Sequence, residues 1–194
     1  MKFIKKTNKF LLWVKRFFRD DRPKLRNDIY YMTIAFNISR RSIDPHTVHG
    51  SVIVDKNGRI LSTGYNGPIK KCDDNKIPLT RPEKYQHFLH SEENSVLNYF
   101  GSSQDIEGST IYITGYPCSK CLRMILQKGI TKVVFAPIVS KCLDTEDIEA
   151  RKLMLEYQEK DIEFRELTMD DMDEVICNME DTIQYMQYKL GMIK

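Results

Sequence analysis

Two short stretches carry residue types that together can activate water. Leu89 to Asn94 reads LHSEEN, and Tyr116 to Cys121, 22 residues further on, reads YPCSKC. Imidazole and thiolate are ligands that suit borderline-soft Zn²⁺, so His90, Cys118 and Cys121 are candidate ligands and Zn²⁺ the expected cofactor. Three protein ligands leave one tetrahedral position for water, whose pKa falls from about 15.7 to about 7 on the metal. Cys118 and Cys121 are about one helical turn apart, so both sulfurs can face one point. Pro117 favours a helix start there, and a helix N-terminus helps to keep thiolates ionised. Glu92, two positions after His90, is left free of the metal to move protons. A C-x-x-C pair also suits a redox couple, or half of a closed structural zinc site with Cys72 or Cys142 as fourth ligand. Pro117 and the upstream H-x-E favour the open, catalytic arrangement.

The elements that must position these groups can be read from periodicity. Asn27 to Arg41 is a predicted helix with Ile29, Met32, Ala35 and Phe36 on its buried face. Ser51–Val54 and Arg59–Thr63 are predicted strands joined by Asp55-Lys56-Asn57-Gly58, where Asn-Gly signals a hairpin. A turn, Gly64-Tyr65-Asn66-Gly67-Pro68, follows, and then a polar loop from Lys71 to His87. Ser91 to Phe100 is a predicted helix with Val96, Leu97 and Phe100 facing inward, and Glu93 reads as a helix-start charge. Ser109–Thr114 and Thr131–Ala136 flank the cysteine-bearing helix as a β–α–β unit, so these strands should be parallel. A helix over 146–159, a strand over 162–167 and a helix capped by Thr168 complete the chain. The last helix carries a stripe of Met172, Ile176, Met179, Ile183 and Met186, read as a packing or subunit surface.

The chain of 194 residues, 41% hydrophobic, can bury a sizeable core and has no apolar run of membrane-spanning length. Five cysteines, with two committed to metal, point to a reducing, cytoplasmic setting. The net charge of +3 is divided unevenly: residues 1–26 hold ten Lys or Arg against two Asp, while the rest hold 20 basic against 25 acidic side chains. That suggests a basic amphipathic arm (1–26), a zinc-binding domain (27–167) and a C-terminal helical extension (168–194). The arm, rich in Phe, Leu and Trp, suits packing on the body, a membrane surface or an anionic partner. By charge, the body does not suit nucleic acid.

The order of motifs resembles the deoxycytidylate (dCMP) deaminase family. The pattern H-x-E…P-C-x-x-C is shared by zinc-dependent nucleobase deaminases. The more specific matches are Tyr31–Ala35, Arg41-Ser42-Ile43-Asp44-Pro45, Gly64–Gly67, Cys72-Asp73-Asp74, His90–Asn94 and Thr110–Cys121. The resemblance implies an α/β fold, a three-layer α/β/α sandwich with a central mixed five-stranded sheet. It also implies hydrolysis of dCMP, or a 5-substituted dCMP, to dUMP and ammonia by a homo-oligomer, dimer or hexamer. Glu92 would be the proton shuttle, and Asn66 and Tyr116 would contact the nucleotide.

Four departures stand out. Ser91 replaces the usual Ala between His and Glu and brings a hydroxyl to the substrate site. Pro68-Ile69-Lys70-Lys71 lacks the glycine that many members carry in a loop tied to dCTP and dTTP regulation. His46, with His49 nearby, stands where some members carry a phosphate-binding Arg, leaving Arg41 and His46 as the expected phosphate contacts. Pro137 to Thr145 lacks the aromatic that touches the sugar in many members. Two rival readings are a deaminase acting on a base in single-stranded DNA or RNA, and a non-catalytic nucleotide-binding protein. The GYNG segment opposes the first, and the free Glu92 opposes the second.

Overall fold

The computed structural model describes residues 25–138 and 144–192. The expectations for the basic arm before Leu25, and for Cys142, fall outside those residues. Helix α1 (Asn27–Ser39) leads in, with Ile29, Met32 and Ala35 fully buried on one face. Strands β1 (Gly50–Val54) and β2 (Ile60–Tyr65) form the expected hairpin, but the turn is not the two-residue kind that Asn-Gly favours. Only Gly58 takes a positive φ, 83°, and the Gly58 N–H donates to the Asp55 carbonyl at 3.0 Å. Asp55 also accepts the Asn57 and Arg59 N–H groups, at 2.9 and 2.7 Å. A longer turn closed by one left-handed glycine, with a shift of register at Ile53/Val54, achieves the same reversal.

After the small ribbon of β3 (Gly67–Pro68) and β4 (Phe88–Leu89) come α2 (Ser91–Leu97), the short α3 (Ser103–Ile106) and β5 (Thr110–Ile113). Then follow α4 (Ser119–Gln127), β6 (Lys132–Phe135), α5 (Thr145–Glu156), β7 (Glu163–Glu166) and α6 (Met169–Lys189). The main sheet runs β2-β1-β5-β6-β7, antiparallel at β2-β1-β5 and parallel at β5-β6-β7. This is the mixed five-stranded sheet of the expected α/β/α sandwich.

Period-two alternation divides the core between the two faces of the sheet. Val52, Val54, Tyr112 and Val134 join α1 and Val175 of α6 on one side. Ile53, Ile111, Ile113, Val133 and Phe135 join Val96 of α2 and Leu122 and Ile125 of α4 on the other. Each fully buried aliphatic side chain stabilises the fold by roughly 1.5–3 kcal/mol. An ionic network ties the ends together: Arg26 reaches Asp171 at 2.6 Å, and Arg165 bridges Asp28 and Asp171. Burial alone would raise the Asp171 carboxyl, but the Thr168 N–H and Arg26 bring it down to about 2.

One expectation needs correction. The helix after the H-x-E motif stops at Leu97, and Leu97 and Phe100 are 58% and 86% exposed rather than inward-facing. The cause lies in β2. A Cβ on Gly64 would sit 2.2 Å from the Ser91 carbonyl oxygen and 2.3 Å from the Ser95 nitrogen, so strand and helix touch backbone to backbone. Only small residues fit at that contact. Ser51 donates to the Ser91 carbonyl at 2.8 Å and Ser62 to the Ser95 carbonyl at 2.6 Å. The stripe on α6 is divided: Met172 and Met179 pack on the core beside Val175, while Ile176, Ile183 and Met186 stay half-exposed. None of the described helices is long and apolar enough to cross a membrane.

Candidate active site

Two helix starts face each other across one edge of the sheet. His90 is the N-cap of α2, and its backbone N–H donates to Glu93 at 2.8 Å, closing a capping box. Glu93 is thereby held at the helix start, leaving Glu92 as the carboxylate on the cavity. Cys118 is the N-cap of α4, and Cys121 lies one turn into that helix. The contact at Gly64 fixes α2 on β2, while Leu122 and Ile125 fix α4 beneath β5 and β6.

This packing sets the metal-ligating atoms. Nδ1 of His90 lies 3.5 Å from Sγ of Cys118 and 3.4 Å from Sγ of Cys121. With Zn–S near 2.3 Å and Zn–N near 2.0 Å at tetrahedral angles, a nitrogen and a sulfur on one ion lie about 3.5 Å apart. The donor set therefore fits Zn²⁺ as it stands, with Nδ1 as the facing nitrogen. Among the described residues, these three are the group of His, Cys, Asp and Glu side chains close enough to share a cation. Cys72, weighed as a fourth ligand, is not one of them. Among the described residues no fourth protein ligand joins the three, the arrangement that a catalytic zinc requires.

The protons on this cluster show what a cation would replace. The hydrogen bond from Cys121, helped by the one from His90, pushes the Cys118 thiol down to about 4. The bond to Cys118 pushes His90 up to about 9. The neighbouring Cys118 sulfur and burial push Cys121 up. A divalent cation displaces these protons, so metal loading releases acid.

Glu92 is 5% exposed, and its Oε2 accepts the Ser91 hydroxyl at 2.7 Å. The Ser91 hydroxyl thus orients the carboxylate. Both residues line a cavity of about 130 Å³, together with His90, Cys118, Asn66 and Tyr116. Tyr116 is fixed by the rings of Phe135 and Phe164, with centroids 4.5 and 5.9 Å away, and by the Arg151 guanidinium 4.1 Å above it. Asn66 is buried and braces the preceding loop, accepting the His49 N–H at 2.7 Å and donating to the Thr47 carbonyl at 2.6 Å. Arg41 and His46 lie elsewhere. Arg41 is exposed over the Tyr65 ring, and His46 is exposed with its backbone N–H on Asp44, and neither lines the cavity.

Several lining residues escaped the sequence reading. Asp44, Thr47, His49, Arg81, Lys84 and Tyr85 all face the cavity. Lys84 sits in a polar loop with no apolar pattern to mark it as inward, yet its side chain is 3% exposed and reaches Asp44 at 2.5 Å. Burial would raise the Asp44 carboxyl, but Lys84 and the His46 and Thr47 N–H groups hold it below its usual range. Burial pushes the His49 imidazole down, so it is neutral at neutral pH. Its ring fits only because residue 115 is glycine: a Cβ there would lie 2.4 Å from Cε1 of His49. Behind the cysteines, Asp147 of α5 accepts the Ser119 N–H at 2.8 Å and Arg151 donates to the Pro117 carbonyl at 3.1 Å. Their i,i+4 spacing was a signal, but only for a pair on one helix.

Comparison with known proteins agrees with this geometry. Residues 25–137 match the family model described as the cytidine and deoxycytidylate deaminase zinc-binding region. A deoxycytidylate deaminase of Mus musculus is 32% identical over 145 residues, covering 72% of this chain and 78% of the relative. The Homo sapiens deoxycytidylate deaminase is 33% identical over 131 residues, covering 64% of this chain and 71% of the relative. Among solved structures, the dCMP deaminase of cyanophage S-TIM5 in complex with dCMP and dUMP superposes with a TM-score of 0.60 at 27% identity. The match spans 74% of this chain and 100% of that one. The chain belongs to the zinc-binding cytidine and deoxycytidylate deaminase family.

Proposed function

We propose that this chain is a deoxycytidylate deaminase, hydrolysing dCMP, or a 5-substituted dCMP, to the corresponding dUMP and ammonia. The observation that carries the reading is the convergence of His90, Cys118 and Cys121 beside the buried carboxylate of Glu92 on one cavity. The names of the relatives support the choice of substrate. His90, Cys118 and Cys121 hold Zn²⁺, which when bound supplies a Lewis acid and lowers the pKa of water.

The remaining work belongs to the chain's own groups. Glu92 accepts a proton from the attacking water and passes it to the pyrimidine ring nitrogen. It then takes the remaining proton of the added hydroxyl and passes it to the amine, which leaves as ammonia while the ring carbonyl forms. The Ser91 hydroxyl holds that carboxylate in line. Tyr116, stiffened by Phe135 and Arg151, is a flat wall for the base. Asn66 keeps the loop from Asp44 to His49 against the sugar side of the cavity.

The half-exposed Ile176, Ile183 and Met186 on α6 support self-association as a homo-oligomer. The charge and bulky apolar residues of the segment 1–26 suit packing on the body, a membrane surface or an anionic partner. Unbridged Cys118 and Cys121 suit a reducing compartment such as the cytoplasm.

Ammonia release from zinc-loaded protein tests the substrate class, with dCMP, dCTP, deoxycytidine and a cytosine-containing single-stranded oligonucleotide side by side. Turnover of dCMP at least about tenfold above the other three in kcat/KM is expected. Preferred turnover of the oligonucleotide, or silence on all four, would contradict the reading.

A further inference from the structure

One part of the cavity lining has chemistry unrelated to zinc. Asp44, Thr47, Asn66, Arg81 and Lys84 are joined by hydrogen bonds into a single polar cluster. Its charges do not cancel, since one carboxylate faces an ammonium and a guanidinium. The carboxylate is fully engaged. Oδ1 of Asp44 accepts the His46 and Thr47 N–H groups at 2.9 and 3.1 Å, and Oδ2 accepts Lys84 at 2.5 Å and Asn66 at 3.4 Å.

The cations are not fully engaged. An ammonium has three donors, and Asp44 is the one ion-pair partner of Lys84 among the described residues. Arg81 makes no ion pair among the described residues. Its Nη2 donates to Oγ1 of Thr47 at 3.0 Å, and its guanidinium lies 5.8 Å from the centre of the Tyr85 ring. The cluster therefore offers a net positive charge and several unused N–H donors to the same cavity that holds His90 and Glu92. A guanidinium fork and a point ammonium together match a terminal phosphate.

We propose that Arg81 and Lys84 form the seat for the 5′-phosphate of the substrate, Arg81 supplying the fork and Lys84 the buried charge, and that Arg41 and His46 take no part. This rests on the nucleotide reading above and names the residues that select a nucleotide over a nucleoside. Asp44 holds Lys84 in place, and Thr47 holds Arg81. A loop that differs from the one carrying His46 thus does the work expected of His46.

Two readouts on zinc-loaded protein test the seat: steady-state kinetics on dCMP and deoxycytidine, and calorimetric binding of inorganic phosphate. Arg81 is exposed, so Arg81→Ala removes no buried contact. It is expected to raise KM for dCMP about ten- to hundredfold with kcat within about twofold, the loss of a charge-assisted hydrogen-bond pair. The preference for dCMP over deoxycytidine and the affinity for phosphate should fall by a similar factor. Unchanged KM and phosphate affinity in Arg81→Ala would overturn the proposal. So would an equal loss in Arg41→Ala or His46→Ala. A wild-type chain that ignores dCMP would contradict the nucleotide reading instead, and phosphate calorimetry on wild type and Arg81→Ala would still decide the seat.

Discussion

Glu92→Gln is expected to lower kcat for dCMP by about 10²- to 10⁴-fold while the protein still carries one zinc per chain. Glutamine keeps the shape and can still accept the Ser91 hydroxyl that now bonds Oε2 at 2.7 Å. What it lacks is a site for the proton that must leave the attacking water. The loss corresponds to roughly 3–5 kcal/mol of transition-state stabilisation. Because Glu92 is not among the metal-ligating atoms, metal content should not move. A variant with more than about a tenth of wild-type kcat would remove Glu92 from the role of proton shuttle.

Cys121→Ser should do the opposite, removing metal and activity together. Zinc content after dialysis against a mild chelator is expected to fall from one per chain to less than about a tenth of that, because a neutral hydroxyl is a poor substitute for thiolate. Cys121 is also 1% exposed, so exchanging its sulfur for a smaller oxygen disturbs a buried contact and costs some stability of its own, although Nδ1 of His90 stays within reach. The two effects separate by their dependence on metal. Adding zinc should raise the thermal midpoint of the wild type and leave that of Cys121→Ser unchanged. A variant that retains a full zinc complement would show that Cys121 is not a ligand.

The zinc cluster was legible because its ligands are encoded by short-range spacing. Cys118 and Cys121 lie on one helix turn, so local geometry fixes one of the three separations, and the other two follow from packing the helix that His90 begins beside the helix that Cys118 begins. The strands were legible for a similar reason, since the alternation of Val52, Ile53 and Val54 records which face each side chain occupies. The inner face of α2 was not. Val96, Leu97 and Phe100 look like a buried stripe, yet only Val96 is buried, because the close approach at Gly64 turns Ser91 and Ser95 to the strand and leaves Leu97 and Phe100 outside. Hydrophobicity favours burial in general; it does not say how near a particular backbone will come.

The polar side of the cavity escaped for another physical reason. Lys84 belongs to a loop of mixed charge, where solvation is the ordinary fate of a lysine. It is buried because Asp44, about 40 residues earlier, is buried with it. Neither position carries a local trace of the pairing. Arg41 and His46 looked well placed because they flank the Asp44-Pro45 step, yet Asp44 turns inward and draws the backbone of His46 and Thr47 towards itself. The side chain of His46 is left outside. Likewise Asp147 and Arg151 reach back to Ser119 and Pro117, so the second layer behind the cysteines exists only once α5 is folded against α4.

The measurement that tests the central claim most directly is conversion of dCMP in ¹⁸O-labelled water by the zinc-loaded chain, followed by mass spectrometry of the nucleotide. The account predicts dUMP carrying one labelled oxygen on the pyrimidine ring, one ammonia per product and no product after the metal is stripped. Unlabelled dUMP, conversion that survives complete removal of zinc, or no conversion by protein carrying one zinc per chain would contradict it.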